Sequence, residues 1–202
     1  MRPPARHVLT GLLVLTFLLG SCASAPEPTT VIRTLYNPGI PGYNSILVIS
    51  VTGDYATREA FERELVASIS RAGGSASPWY TVVGRRSGLS RSLMQDSIRS
   101  RGFDAVLFTR RKGQEQPELA PTRPVGPAFD LFGYDYDELN RDLQIEQSRA
   151  TTFVSELYDA SQQRKVWSIE TLSVRKETLQ ELLAEQVVTV ATQLREDGLL
   201  GR

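Results

Sequence analysis

Cysteine and histidine are nearly missing from this chain, which has one of each, Cys22 and His7. A single cysteine cannot form an internal disulfide, so the fold is not held by cystines. Cleavage at Cys22 would remove His7, and lipid attachment would mask the thiol. Such a mature chain has no histidine and no free thiol, so it cannot form a Ser-His-Asp or Cys-His nucleophile pair or the usual zinc sites. We therefore expect no metal, no cofactor and no enzymatic activity.

An excess of either charge is missing too, because the 202 residues contain 23 Lys and Arg and 23 Asp and Glu. Loss of Arg2 and Arg6 with the first 21 residues leaves 21 basic side chains against 23 acidic ones. Nucleic-acid-binding proteins usually have a clear basic excess, so we expect no nucleic-acid partner. The length and the hydrophobic content of 41% are those of one globular domain that buries a core.

The N-terminus has the pattern of a signal peptide. Arg2, Arg6 and His7 make it positive, and an apolar run follows from Val8 to Leu19. A run of about a dozen residues fits a signal-peptide core and is shorter than the ~20 residues that span a bilayer. This length favours a cleaved signal peptide over an uncleaved membrane anchor.

The tetrapeptide Leu19-Gly20-Ser21-Cys22 comes next, and it resembles the lipobox of bacterial lipoproteins. Small side chains let a peptidase reach the bond before Cys22, whose thiolate can be alkylated by a diacylglyceryl donor. In that family, cleavage then frees the Cys22 amine for a further acyl chain, and several acyl chains anchor a protein stably in a membrane. The alternative is an ordinary signal peptidase that cuts after Ala23 or Ala25 and releases a soluble protein.

Ala23 and Ser24 follow the cysteine. By resemblance to enterobacterial lipoproteins, an aspartate here would favour retention in the inner membrane. Its absence implies the outer membrane, with the protein on the periplasmic face.

Prolines and hydrophobic periodicity divide the chain into three parts. Residues 1–21 are the predicted signal peptide, residues 22–44 a lipidated N-terminus and tether, and residues 45–202 a single domain with an insert at 112–140. Val31 to Tyr36 has the pattern of a strand, which would hold the domain close to the membrane. The Pro- and Gly-rich stretch after it is alternatively further linker.

Alternating strand and helix patterns predict a layered α/β domain. Ile46 to Val51 is an aliphatic run typical of a strand buried on both faces. The other early elements predicted are a helix capped by Thr57 with Phe61, Leu65, Ile69 and Ala72 on one face, a strand at Trp79 to Val83, a helix at Leu89 to Ser100, and a strand at Asp104 to Thr109.

Prolines interrupt the pattern from Lys112 to Ala128, and two long strands follow, Leu143 to Tyr158 and Lys165 to Val174. The polar turn between them predicts a hairpin. Thr178 to Glu181 matches a capping box that opens a last helix. The predicted fold class is α/β (α+β): a mixed sheet with β-α-β-α-β, then a β-hairpin and a long C-terminal helix packed on the sheet.

The hairpin carries a resemblance, in Glu156-Leu157-Tyr158-Asp159-Ala160, in Lys165-Val166-Trp167-Ser168, and in the Asp197-Gly198-Leu199 that closes the last helix. These segments resemble the C-terminal half of uncharacterised proteobacterial envelope lipoproteins, similar in apparent fold to the curli-secretion lipoprotein and the TolB amino-terminal domain. The resemblance implies a fold rather than an activity, because that fold hosts unrelated tasks. Trp167 is expected in the core, on a strand that packs under the helix.

The first candidate interaction surface is a basic region in which the acids are Asp96 and Asp104. Its cations are Arg85, Arg86, Arg91, Arg99, Arg101, Arg110, Arg111 and Lys112. This region reads either as a contact for anionic lipid headgroups or an acidic partner, or as solvated arginines paired with the protein's own acids.

The second candidate surface is FDLFGYDYDEL, Phe129 to Leu139, where Phe129, Phe132, Tyr134 and Tyr136 alternate with carboxylates. Aromatic side chains of a loop often belong to an interface. The alternative is a loop that folds back over the domain as a lid. Carboxylates recur here at short spacing, as in a calcium loop, but the calcium-loop pattern with its final glutamate is absent.

These features predict a lipid-anchored periplasmic envelope protein with a non-enzymatic binding or scaffolding role. Its contact segment would be the insert, and its partner another envelope protein. The alternative is a periplasmic small-ligand carrier with a pocket under the 129–139 loop. An enzyme that uses carboxylates alone is a third hypothesis.

Overall fold

A computed structural model describes residues 29–51, 54–84, 90–112, 150–174 and 178–201. They form a six-stranded mixed sheet with helices packed on both faces. The strands are β1 (Thr30–Tyr36), β2 (Ile46–Val51), β3 (Ala76–Pro78), β4 (Ala105–Arg111), β5 (Ala150–Asp159) and β6 (Arg164–Val174). The helices are α1 (Tyr55–Arg71), α2 (Trp79–Val83), α3 (Arg91–Arg101) and α4 (Leu179–Glu196).

The strands lie in the order β1-β6-β5-β4-β2-β3. β2 pairs in parallel with β3 and β4, whereas the β4–β5, β5–β6 and β6–β1 pairs are antiparallel. Helical crossovers connect the parallel strands, and a tight turn connects β5 to β6. The predicted fold class is confirmed, because a parallel β/α half is followed by a hairpin and a C-terminal helix on the sheet.

Two apolar cores lie on opposite faces of the sheet. On one face, Phe61 and Leu65 of α1 and Val190 of α4 pack against sheet residues such as Val48. On the other face, the core is built from Trp79 of α2, the α3 residues Met94 and Ile98, and sheet residues such as Ile49 and Phe108. All six residues of β2 are buried, which explains its unbroken aliphatic sequence.

The two long helices begin at polar caps. The α1 cap is Asp54, whose carboxylate accepts a 2.8 Å hydrogen bond from the Thr57 backbone N–H. The predicted cap was Thr57, and the helix begins earlier because Asp54 has extended backbone dihedrals and a side-chain acceptor. The capping box of Thr178 and Glu181 is confirmed at the start of α4.

The segment Trp79–Val83 is a short helix, so the prediction of a strand there was wrong. Strand pairing stops at Pro78, which is the last β3 residue and pairs with Val48. Proline has no N–H to continue the ladder. Its dihedral angles of φ −79° and ψ 144° place it before the first turn of α2, and the buried Glu62 described below binds that turn.

The predicted hairpin is confirmed, with β5 and β6 joined by a turn in which Gln163 has φ 52°. Trp167 is fully buried, as predicted. The other boundaries shift by a few residues: the predicted helix at Leu89 to Ser100 is α3, which begins at Arg91. The start of the predicted strand at 143–149 lies outside the described residues.

Strand β1 forms one edge of the sheet and pairs with β6 from Thr30↔Leu172 to Tyr36↔Trp167. This strand agrees with the strand pattern expected at Val31 to Tyr36, so residues 30–36 of the predicted tether of residues 22–44 belong to the sheet. Tyr43 is also buried and forms a bridge with Leu200. Within the described ranges, no helix has the length and hydropathy needed to cross a membrane.

Candidate functional site

The strand directions bring the ends of four strands to one end of the sheet. β1 and β5 begin there, at Thr30 and Ala150, and β4 and β6 end there, at Arg111 and Val174. We call this the upper end of the sheet. Cys22 precedes Thr29 by seven residues. The polypeptide that follows the predicted lipid attachment point therefore joins the sheet at the upper end. The predicted insert of residues 112–140 lies in the sequence between β4 and β5, and the adjoining ends of these strands, Arg111 and Ala150, lie at the same end.

A buried hydrogen-bonded chain fixes Thr29 to this end. Its hydroxyl lies 2.8 Å from the hydroxyl of Ser173 in β6. The Ser173 hydroxyl accepts a hydrogen bond from the amide nitrogen of Gln186 in α4, and the Gln186 oxygen accepts one from the Thr171 hydroxyl. Gln186 and Thr171 are fully buried. The polypeptide therefore becomes part of the packed structure at Thr29, seven residues after Cys22.

The end of β4 supplies the cations of the upper end. Arg110 is buried, with 7% of its surface exposed, and Arg111 is half-buried. Lys112 donates to both Glu170 oxygens at 2.9 and 3.1 Å, and its backbone N–H donates to the Thr152 carbonyl at 2.7 Å. Lys112 is therefore paired with an acid of the same chain.

The predicted basic region is not one surface among the described residues. Arg99 and Arg101 end α3 next to the beginning of β4, whereas Arg110 and Arg111 lie at the end of that strand, roughly 20 Å away at ~3.3 Å per residue. Arg99 also forms an exposed 2.6 Å ion pair with Asp96. Arg85, Arg86 and the Arg91 side chain are outside the described part. Arg99 and Lys112 are each paired with an acid of the same chain.

A second polar centre, which the sequence did not reveal, surrounds Glu62 of α1. Glu62 is 1% exposed. Its Oε1 accepts a 3.0 Å hydrogen bond from the Ser50 backbone N–H, and its Oε2 accepts a 3.3 Å hydrogen bond from the Tyr80 backbone N–H. Ser50 lies in β2 just beyond the point where pairing with β3 stops. Glu62 thus takes the place of a strand partner and also binds the first turn of α2.

Burial raises the pKa of Glu62 from its ordinary 4.5 to about 7. Its hydrogen bonds from Ser50, Tyr80 and Trp79 and the charge of Arg58 act in the opposite direction. Loss of hydration outweighs these effects, since a carboxylate in an apolar interior loses most of its solvation. Perturbed carboxyl groups mark candidate functional positions as well as structural ones.

A surface groove of about 700 Å³ runs between α1 and α4. Both helices begin at the upper end, and the lining includes their first turns, with Ala56, Ala60 and Phe61 from α1 and Leu179 and Leu183 from α4. Leu179, the first residue of α4, is 37% exposed. The groove therefore exposes the apolar side chain of Leu179 at the upper end, and its lining also includes the charged residues Arg63, Glu64 and Arg71.

Several predicted site residues lie outside the described ranges. These are Cys22, the lipobox residues Leu19, Gly20 and Ser21, and the aromatic residues Phe129, Phe132, Tyr134 and Tyr136. Within the described ranges, no group of three or more His, Cys, Asp or Glu side chains is placed to hold a metal ion.

Glu62 and Gln186 escaped the sequence reasoning for one reason. Both residues lie in helices whose apolar residues recur at regular spacing, and a polar residue between two such apolar residues is usually predicted to face solvent. Their partners come from distant strands and from α2, which a helical pattern does not reveal. The neighbouring Phe61 and Val187 were predicted to be buried because they are apolar, whereas nothing in the sequence indicated that Glu62 and Gln186 are buried too.

Comparisons with known proteins yield distant structural matches at low sequence identity. No family model matches the sequence, and no curated protein matches it either. The PelC dodecamer from Paraburkholderia phytofirmans is 14% identical, covers 86% of this chain and 99% of its own, and has a TM-score of 0.49. A point variant of that protein gives 12% identity, coverage of 85% and 99%, and a TM-score of 0.48. Lipoprotein GNA1162 from Neisseria meningitidis is 16% identical over 74% of this chain and 95% of its own, with a TM-score of 0.39.

Proposed function

We propose that this protein is a lipid-anchored component of the bacterial envelope with a non-enzymatic binding or scaffolding role. Cys22 is the lipid attachment point, and the protein faces the periplasm from the outer membrane. The observation that carries the proposal is the tetrapeptide Leu19-Gly20-Ser21-Cys22 directly after a signal-peptide core.

The structure supports this proposal through the position of Thr29. The seven residue steps from Cys22 to Thr29 span at most about 25 Å when the chain is fully extended. Thr29 is hydrogen bonded to Ser173, which is bound in turn to Gln186. A lipid on Cys22 would therefore hold the upper end of the sheet within about 25 Å of the membrane.

The predicted contact segment is attached at this same end. Lys112 and Thr152 are joined by a backbone hydrogen bond of 2.7 Å, so the insert leaves and re-enters the sheet at neighbouring positions. A partner in or near the outer membrane would thus meet the insert before it meets the opposite end of the sheet. The groove between α1 and α4 begins at this end as well.

The buried carboxylates support a non-catalytic role, because they bind groups of the fold itself. Glu62 binds the backbone of β2 and α2. Asp159 accepts hydrogen bonds from Tyr43 and from the turn between β5 and β6. Asp197 binds Trp167 and Arg33. These acids lie in different parts of the fold and not around one cleft.

Labelling cells with palmitate tests the anchor. The wild-type protein should incorporate labelled palmitate and lose its first 21 residues, while Cys22→Ala should do neither. Ser24→Ala, which removes a hydroxyl close to the cysteine, is the matched control and should behave as wild type. Wild-type protein that carries no lipid and is cleaved after Ala23 or Ala25 would overturn the proposal and favour an ordinary signal peptidase.

Membrane fractionation on a density gradient tests the location. Wild-type protein should be found with outer-membrane markers, and Ala23→Asp should move it to the inner membrane if this cell follows the enterobacterial sorting rule. A wild-type protein found with the inner membrane would contradict the outer-membrane assignment but leave the lipid anchor intact.

A further inference from the structure

Helix α2 depends on a residue from another helix for its first hydrogen bonds. Its N-cap is Pro78, which makes no side-chain cap hydrogen bond. Glu62 of α1 supplies the acceptor, because its Oε2 binds the Tyr80 N–H. A helix of five residues has few hydrogen bonds of its own, so an external carboxyl group contributes a large share of its stability.

The same carboxyl group attaches α2 to the sheet. Its Oε1 binds the Ser50 N–H of β2, 3.0 Å away. Trp79, the first residue of α2, is 2% exposed and packs in the core with Ile49 and Phe108. Detachment of α2 would therefore expose the Glu62 carboxyl group and the Trp79 side chain together.

Among the residues that the structure describes, few ionisable groups face Glu62. The sequences of β2 and β3 contain none, and α2 contributes Tyr80 through its backbone N–H. On α1, Arg58 lies one turn before Glu62 and favours its charged form. Burial acts more strongly than Arg58 and the hydrogen bonds, and it raises the pKa of Glu62 to about 7.

We propose that Glu62 is a proton-sensitive latch that keeps α2 seated on the end of β2 when neutral and favours its detachment when ionised. The direction follows from hydration. In the seated state the ionised carboxylate is almost out of contact with water, whereas in the detached state it regains its hydration. A proton therefore binds the seated state more tightly, and loss of the proton shifts the population toward the detached state.

Hydrogen exchange of the full-length chain in detergent tests this latch. After correction for intrinsic exchange, the protection of the Tyr80 amide should fall as the pH rises from 5 to 8. A pKa difference between 4.5 and about 7 allows a change of about a hundredfold. Amides in β5, which do not contact Glu62, should keep their protection over this range.

Two variants separate the latch from general effects of pH. Glu62→Gln is neutral at all pH values and should make the Tyr80 protection independent of pH. Glu64→Gln removes an exposed acid two residues along the same helix and should behave as wild type. Persistence of the pH-dependent loss in Glu62→Gln, or constant protection of Tyr80 in wild type, would refute the latch.

The wild-type protein provides a measurement that does not depend on how well the variants fold. The amide chemical shifts of Ser50 and Tyr80 should titrate together with a midpoint near 7. A shared midpoint near 4.5, the ordinary value for glutamate, would show that burial does not hold the proton and would overturn the proposal.

Discussion

The indole N–H of Trp167 donates a 2.7 Å hydrogen bond to the carboxylate of Asp197, thirty residues later in the chain. Trp167 is fully buried in β6, and Asp197 directly follows α4. Arg33 of the edge strand β1 binds the same carboxylate at 2.6 and 3.2 Å. One carboxylate therefore joins the edge strand, the hairpin and the end of the last helix.

Replacement of Asp197 by alanine should destabilise the protein by about 2–3 kcal/mol. The change leaves the buried Trp167 N–H without an acceptor, and an unsatisfied buried donor costs about 1–3 kcal/mol. It also removes the partner of Arg33. Urea denaturation followed by tryptophan fluorescence measures the effect. Asp197→Asn keeps an acceptor oxygen and should lose less.

The matched control for Asp197 is Asp96. Asp96 also binds an arginine at 2.6 Å, but both side chains are about 70% exposed (73% for Arg99 and 69% for Asp96). Exposed ion pairs contribute little to stability, so Asp96→Ala should leave the free energy of unfolding almost unchanged. Equal losses in the two variants would show that the buried hydrogen bond to Trp167 contributes nothing specific.

Gln186 should be far more sensitive to substitution than another glutamine of the same helix. Gln186→Ala removes the partner of the Thr171 and Ser173 hydroxyls and opens a cavity under α4. The expected loss is about 2–3 kcal/mol in urea denaturation. Gln193 binds Glu196 near the protein surface, so Gln193→Ala should cost under about 0.5 kcal/mol. A small loss of stability in Gln186→Ala would mean that a water molecule takes over the hydrogen bonds that the Gln186 amide makes to the Thr171 and Ser173 hydroxyls.

The Glu62→Gln variant should gain stability relative to wild type as the pH rises. The pKa of Glu62 is raised from 4.5 to about 7 in the folded protein, so the neutral form favours folding. This contribution is complete below pH 4.5 and is lost as the pH rises through 7. The difference in unfolding free energy between variant and wild type should therefore grow by about 3 kcal/mol between pH 4 and pH 8.

Measuring that difference at each pH cancels the titration of all other groups. Glu64→Gln serves again as the control, and its difference from wild type should stay flat over the same range. A Glu62→Gln difference that is also flat would show that Glu62 has an ordinary pKa in the folded protein.

Local patterns in the sequence were sufficient to predict most of the fold. The aliphatic run of Ile46–Val51 indicated a strand buried on both faces, and helices pack against both faces of this strand. The capping box at Thr178 located the start of α4. These features were readable because each depends on residues close together in the chain, and because helical and strand periodicities differ.

The sequence failed where a distant side chain decides the local structure. Trp79–Val83 is rich in aromatic and β-branched residues, which favour strands. It is a helix because Pro78 stops the pairing and Glu62 binds the Tyr80 N–H. The polar network of the upper end was hidden in the same way, since Thr29, Ser173 and Gln186 meet only after β6 and α4 have packed. The lipobox, by contrast, could be predicted from the sequence because a peptidase recognises it as a linear motif.

Removal of residues 113–149 should leave the fold intact. Lys112 N–H and Thr152 carbonyl oxygen are 2.7 Å apart, and β4 pairs with β5 from Arg111↔Phe153 onward. A five-residue Gly/Ser linker can therefore join Lys112 to Ala150 as a hairpin connection. Because a shorter loop lowers the entropy cost of closure, we expect stability within about 1 kcal/mol of wild type in urea.

The same deletion should abolish cross-linking of the protein to its envelope partner, if the insert is the contact segment. A length-matched variant with Phe129, Phe132, Tyr134 and Tyr136 replaced by serine separates the aromatic side chains from loop length. It should also lose the cross-link, because buried aromatics carry most of the binding energy of an interface. A folded deletion protein that still captures the partner would exclude the insert as the contact. It would direct attention to the groove between α1 and α4, where Val188→Asp on the exposed lining of α4 is the next variant to test.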